Sequence, residues 1–362
     1  MFSSSHSRSL EATFKVAAIA VSTALTACHG GEHGNAGAAD RLFSDPRLHR
    51  LHIGLDEHAP PEGTLGLIVA ARVTEGGRHV VVLDFVPPFV KVFDGGGRLQ
   101  HAFLKSGQGP GEARHPIALA VSGDSAVLVA DATGRLMVFG LGGELRTEGV
   151  VPQLAPLAAA PGCEGDWVVY GPRFVHGSHT PTWLHRIRFG AAGSVASRDA
   201  LPDSLASEML PQGVAYGLTA DAGRAVAWHT LGAKNLLAAW PCGDAPPQIL
   251  ASASRSEGAA KIRRHGRGLR MEIGPGARAR GGTAAVPGGV VVAEQVLGKD
   301  AGSVRTELTL LRRDGGSRTV SVPGRYALRD SRTGTGVLVS TTDPVPQVFL
   351  VSESDLLQVF GH

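Results

Sequence analysis

The side chains best able to do chemistry sit in turns between short apolar runs. Arg173, His176 and His179 fall in PRFVHGSHTP, His229 and Lys234 in HTLGAKN, and Glu294 and Lys299 in EQVLGKD. If these turns converge, the guanidinium, ammonium and imidazole groups form a cationic rim suited to an anionic ligand. If they do not, each is a solvated turn residue. Trp183 and Tyr170 flank the first turn, where they either line a pocket or pack within strands. His29 and His33 carry metal-ligating side chains, but in a Gly/Ala-rich segment where histidines are normally solvated. The chain has no G-x-S-x-G nucleophile elbow, no H-E-x-x-H, no Walker loop, no EF-hand loop and no C-x-x-C. Its only asparagines are Asn35 and Asn235. No catalytic residue, cofactor or metal is assigned.

The first thirty residues carry an address. Val16–Ala27 (VAAIAVSTALTA) is a twelve-residue apolar run, well short of the ~20 residues a membrane-spanning helix needs. His6, Arg8 and Lys15 precede or open it, with Glu11 the one acid. That is the pattern of a secretory signal. It ends Leu25-Thr26-Ala27-Cys28, which resembles the bacterial lipobox: a large apolar residue, two small ones, then cysteine. The resemblance implies cleavage before Cys28 and acylation of its thiol; the alternative is an ordinary signal peptide with an incidental cysteine. Several acyl chains, at ~0.8 kcal/mol per buried methylene, hold a protein firmly on a membrane. His29, not an aspartate, follows the cysteine, which favours the outer membrane.

Positioning falls to many short strands. Forty-nine glycines and 22 prolines among 362 residues provide turns, and the Val-rich runs between them have strand composition. A net charge of +3 is too small to point to nucleic acid. Two copies of one unit are visible: VVVLD ending at Asp84 matches VLVAD ending at Asp131, and VKVFDGGGRL matches LMVFGLGGEL. Asp84 to Asp131 is 47 residues, and Phe93 to Phe139 is 46. A period of that length, built of short strands, marks a propeller blade. Residues 1–27 are therefore predicted as a lipoprotein signal peptide, 28–47 as a flexible tether, and 48–362 as an all-β propeller of six blades, with seven as the alternative. Leu48–Gly54 is predicted to close the ring and Leu356–Phe360 to be a final strand. Cys163 and Cys242 then lie in turns on one face of adjacent blades. An even pair in an exported protein suggests a disulfide, with buried thiols as the alternative.

Residues 80–145, and especially Gly107-Gln108-Gly109-Pro110-Gly111-Glu112 followed by Pro116, resemble the NHL-like six-bladed propellers common among bacterial lipoproteins. In this blade-turn motif (Gly107, Gly109, Pro110, Gly111, Glu112) the glycines permit positive φ, and Glu112 is placed to accept from turn amides. A phosphate loop is the weaker reading, because no Gly-Lys-Ser/Thr and no helix follow. The resemblance implies a membrane-anchored, monomeric binding or scaffold module for a protein or glycan partner, with no nucleic acid. The alternative is a propeller hydrolase, lactonase or lyase with a metal at the central channel. The main departure from the repeat is Arg255–Arg280, with seven arginines and Lys261. It is either a patch for polyanions or a solvated loop or charged edge strand.

Overall fold

The computed structural model describes residues 33–54, 60–163, 165–174, 182–190, 194–199, 216–221, 224–231, 234–240, 248–254, 261–265, 268–272, 278–298, 300, 303–312, 316–332 and 334–361. The architecture is mostly β. Helix α1 (His33–Ser44) leads to β1 (Leu51–Ile53). Sheet one is β2 (Ile68–Val73), β3 (His79–Asp84), β4 (Val90–Asp94) and β5 (Leu99–Phe103). A short parallel pair, β6 (Lys105–Ser106) and β7 (Glu112–Ala113), leads to sheet two: β8 (Pro116–Ser122), β9 (Ala126–Asp131), β10 (Arg135–Gly140) and β11 (Leu145–Val150). Sheet three is β12 (Ala158–Pro161), β13 (Trp167–Arg173), β14 (Thr182–Phe189) and β15 (Val195–Asp199). Sheet four is β16 (Tyr216–Asp221), β17 (Arg224–Leu231), β18 (Lys234–Trp240) and β19 (Gln248–Ser254). After the hairpin β20 (Lys261–His265) and β21 (Gly268–Glu272) comes sheet five: β22 (Arg278–Val286), β23 (Gly289–Leu297), β24 (Val304–Arg312) and β25 (Ser317–Pro323). Sheet six is β26 (Tyr326–Arg332), β27 (Gly336–Thr341) and β28 (Gln347–Val351), and helix α2 (Glu353–Val359) follows it. Within each sheet the pairing is antiparallel and in chain order.

Alternation of side chains along each strand dictates the packing, because successive residues face opposite sides of a sheet. Val81 and Leu83 of sheet one join Leu119, Val127 and Phe139 of sheet two in one core cluster. Val80 and Val82 face the other way, onto Leu338 and Val348 of sheet six. Leu128 and Leu136 of sheet two pack on Val169 and Ile187 of sheet three, and Val291 and Leu310 of sheet five pack on Val337 and Phe349 of sheet six. In sheet four, β16 runs beside β12 and β22. Sheet thus follows sheet in chain order, and the sixth returns to the first. Inner strands covered on both sides are almost wholly apolar: five of the six residues in β3, β9 and β10 are buried. The fourth strands β5 and β11 hold no buried residue and β25 is mostly exposed, and charged side chains on β11 and β25 blunt their open edges.

The N-terminal segment completes sheet six, with Leu51 paired to Leu350 and Ile53 to Val348. Sheets five and six touch through one parallel bridge, Gly282 to Leu328. Gly282 has φ +85°, and a Cβ there would run into the Leu328 carbonyl, so glycine is required.

Three predictions are corrected. Leu356–Phe360 is not a strand: Leu356–Val359 belongs to α2 and Phe360 is its C-terminal cap, while Ser352 Oγ caps the first turn by accepting from Asp355 N at 3.0 Å. Leu356, Val359 and Phe360 recur at helical spacing and are buried. The segment predicted as a tether is helical over His33–Ser44 and buries Ala39, Leu42 and Phe43 against sheets five and six. The ring of Phe43 stacks on Tyr326 at 5.0 Å. Within the basic stretch 255–280 a hairpin, β20–β21, replaces the lone loop or edge strand.

Candidate functional site at the axis

The opening residues of the first strands β2, β8, β12 and β26, with the middle of β22, which runs parallel to β26, meet at one end, the upper end here. They surround a cavity of about 280 Å³ lined by Ile68, Ala118, Ala158, Gly282 and Leu328. Its polar lining includes Arg72, Thr283, Gln295, Arg329 and Thr342. Among the described residues the lining holds two guanidinium groups and no carboxylate.

Both arginines also hold the sheets together. Arg72 is 8% exposed and donates to the carbonyls of Ala71, of Arg329 in sheet six and, at 3.2 Å, of Ala159 in sheet three. Burial pulls its pKa down; nearby Asp330 opposes that shift and Arg332 adds to it. Arg329 donates to the Ile68 and Val69 carbonyls, each at 2.9 Å, and to Ser340 Oγ at 2.6 Å. Next to it on β26, Asp330 Oδ2 accepts from Val73 N at 2.9 Å, and two residues further on Arg332 donates to Val121 O of sheet two at 3.1 Å. The sequence YALRDSR therefore ties sheet six to sheets one and two. Neither Arg72 nor this cluster was anticipated. The available signal was charge inside a strand whose neighbours are apolar.

The Gly107–Glu112 turn is organised from within. Gly109 N donates to Glu112 Oε2 at 2.8 Å, and Gly111, at φ +69°, donates to Glu148 Oε2 at 3.3 Å. Arg135 lies across the turn, donating to the carbonyls of Gln108 and Glu112 at 3.1 Å and of Gly109 at 2.8 Å, and to Glu148 at 2.6 Å. Two amides that could cradle an anion are thus taken by the protein's own carboxylates. The repeated aspartates close turns as well. Asp131 accepts from the backbone N–H of Arg114, His115 and Thr133. Asp84 accepts from those of Gly66 and Val86 and from Lys91 Nζ.

Of the rim residues, Arg173 ends β13 and reaches Pro152 O at 3.4 Å and Ser197 Oγ at 3.3 Å. His176, His179 and Lys299 lie outside the described residues. His229 and Lys234 sit on β17 and β18 beside their connecting turn, near the Leu231–Lys234 pair, with side chains outside the description. Glu294 is buried and pairs with Arg278 at 2.9 Å, and Arg278 also pairs with Glu307 at 2.6 Å. That acid is committed within sheet five. Tyr170 is buried; the Trp183 side chain lies outside the description. Cys163 is disulfide-bonded, while Cys28 and Cys242 lie outside the described residues. Among the described residues no three His, Cys, Asp or Glu side chains gather as a metal site, and no helix is long and apolar enough to cross a membrane.

No family model matches the chain, and no curated protein matches it. Solved structures with similar backbones are β-propeller proteins. The Cps50 (Swd1) β-propeller domain of Myceliophteria thermophila is 12% identical, with 79% of this chain and 96% of that one covered, at a TM-score of 0.45. A gluconolactonase of Xanthomonas campestris is 14% identical, with 78% and 84% covered, at 0.45. TolB of Acinetobacter baumannii is 15% identical, with 71% and 54% covered, at 0.41. None reaches a TM-score of 0.5, so no activity or partner transfers to this chain from them.

Proposed function

We propose that the protein is an exported, membrane-anchored binding module: a six-bladed β-propeller attached to the outer membrane through acylated Cys28, with residues 1–27 removed on export. The observation that carries the propeller reading is the return of sheet six to sheet one, where Val80 and Val82 meet Leu338 and Val348. Repetition of a four-stranded unit around an axis, with an N-terminal strand completing the last unit, leaves only short outer edges of the kind that charged side chains protect from aggregation. The lipobox-like LTAC supports the anchor. Cys163 is paired with Cys242, since both follow strands whose ends lie on one face of adjacent units. The NHL-like lipoprotein resemblance of residues 80–145 fits the same picture. The partner is a protein or glycan, met by a rim to which Arg173, His176, His179, His229 and Lys234 contribute.

Two measurements test this reading. Metabolic labelling with an alkyne fatty acid is expected to mark the wild-type chain and not Cys28→Ser; an unlabelled wild type removes the anchor. Affinity capture from solubilised membranes, followed by mass spectrometry, is expected to retain one envelope protein or glycan that Arg173→Glu loses. A chain that captures nothing specific overturns the binding role.

A further inference from the structure

Among the described residues, most of the exposed apolar bulk lies at the upper end of the sheets. Among the described residues the large hydrophobics left in solvent are Leu67, Phe85, Val86, Val150, Phe174 and Val345, together with Leu48. Leu67 precedes β2, and its carbonyl accepts from Phe85 N at 2.9 Å. Phe85 and Val86 lie between β3 and β4, Phe174 follows β13, and Val345 lies between β27 and β28. Val150 ends β11 opposite Arg135, the first residue of β10. In antiparallel sheets whose first strands run side by side, all six positions fall at the upper end. Only Leu48, just before β1, falls at the lower. Random placement would divide such residues between the ends, so this distribution marks one face as an interaction surface.

The chain leaves from the same end. Ala36 and Gly37 of α1 share a cavity with Val304, which opens β24, and Pro323, which closes β25. Both of those positions are at the upper end of sheet five. From Ala36 back to Cys28 is eight residues, at most ~29 Å of fully extended chain. An acyl group on Cys28 therefore cannot hold this end far from a bilayer.

We propose that the upper end docks on the bilayer surface, its apolar side chains entering the headgroup–acyl boundary. This rests on the anchor reading above. A lipid surface suits the pattern because the apolar residues are spread over sheets one, two, three and six and form no single groove. A planar apolar boundary accepts dispersed side chains to a depth of ~5–10 Å. The axial cavity with Arg72 and Arg329 then faces the headgroups together with the Arg173 rim, which lies at the same end, so a protein or glycan partner met by that rim is one held at the membrane surface.

The test uses the full chain, exported in cells and reconstituted in vesicles of phosphatidylethanolamine and phosphatidylglycerol, carrying Phe85→Trp, Val345→Trp or Leu48→Trp. Intact mass reports acylation of Cys28 separately. When the vesicle lipids carry brominated acyl chains, the added fluorescence at 85 and 345, taken as the difference from the unsubstituted chain, is expected to fall ~2-fold or more, while that at 48 is unchanged. An acylated chain with equal quenching at all three positions, or none at 85 and 345, overturns the docking and leaves the anchor standing. An unacylated Cys28 overturns both. Adding Phe85→Glu and Val86→Glu to Val345→Trp gives a second reading. Loss of quenching in a chain that stays folded and acylated supports docking, and unchanged quenching overturns it.

Discussion

Lys91 Nζ lies 2.5 Å from Asp84 Oδ2, with both side chains shut away from solvent at 2% and 0% exposure. The ammonium also donates to Thr64 O at 2.8 Å, and the carboxylate accepts from Gly66 N and Val86 N. This pair fixes the upper turn of sheet one and the segment that feeds β2. Removing one member leaves an uncompensated buried charge, which costs about 3–5 kcal/mol. Lys91→Met alone and Asp84→Asn alone are therefore expected to lower urea stability by about that much, and less where water reaches the orphaned group. The double substitution is expected to cost clearly less than the sum of the two. Additive losses would mean that the two groups act independently.

Arg135 gives a second expectation. Its guanidinium gathers three carbonyls of the Gly107–Glu112 turn and Glu148. Arg135→Met leaves these acceptors without their donor, and a charged hydrogen bond is worth about 1.5–3 kcal/mol. Faster hydrogen exchange is expected across 107–113, with the inner strands β8 and β9 unchanged. Arg135→Lys is expected to restore only part of the protection, because one ammonium cannot match the planar fork. Uniform exchange across the whole sheet would instead point to global destabilisation.

These residues also show what the sequence could reveal. β3 and β9 were legible because each is an unbroken apolar run ending in an aspartate, the pattern left by an inner strand covered on both faces. The helix α1 was not, because Gly34, Asn35 and Gly37 look like a tether, and only the stripe Ala39, Leu42, Phe43 opposes that reading. In α2 the Ser352-x-x-Asp355 cap was the missed signal. Nothing local in VKVFD signals the burial of Lys91, which depends on Asp84, seven positions away. At the axis, Arg72 and Arg329 belong to strands that meet only once the sheets have come round, so no local pattern joins them. The turn residues of the rim follow no repeat, since turns are not constrained by sheet packing.

Acid sensitivity should report Asp131. Burial raises its carboxyl pKa, but hydrogen bonds from His115 N, from Thr133 N and Oγ1, and from Arg114 N outweigh that and leave the pKa below its ordinary value. A carboxyl depressed in the folded state stabilises the fold above its unfolded pKa, and that contribution is lost as pH falls through the folded pKa. Stability is therefore expected to drop as pH falls below about 4. Asp131→Asn is expected to be less stable at neutral pH and to show a shallower loss on acidification. Parallel stability-versus-pH curves for the two proteins would rule Asp131 out as a contributor.

Arg72 separates two effects that oppose each other. Replacing a buried charge by an apolar group of similar length removes a desolvation cost. It also orphans the Ala159 and Arg329 carbonyls, and each unsatisfied buried acceptor costs about 1–3 kcal/mol. With Asp330 already engaged by Val73 N and Arg332, the lost carbonyl contacts should dominate, so Arg72→Met is expected to be destabilising by about 2 kcal/mol. The loss should show as faster exchange on β12 and β26 as well as on β2, because Arg72 spans three sheets. Arg72→Lys keeps the charge but cannot reach all the acceptors at once, so it is expected to recover less than half of the loss. If Arg72→Met were as stable as the wild type, the desolvation cost would be the larger effect, and the axial arginine would be retained for something other than holding the sheets together.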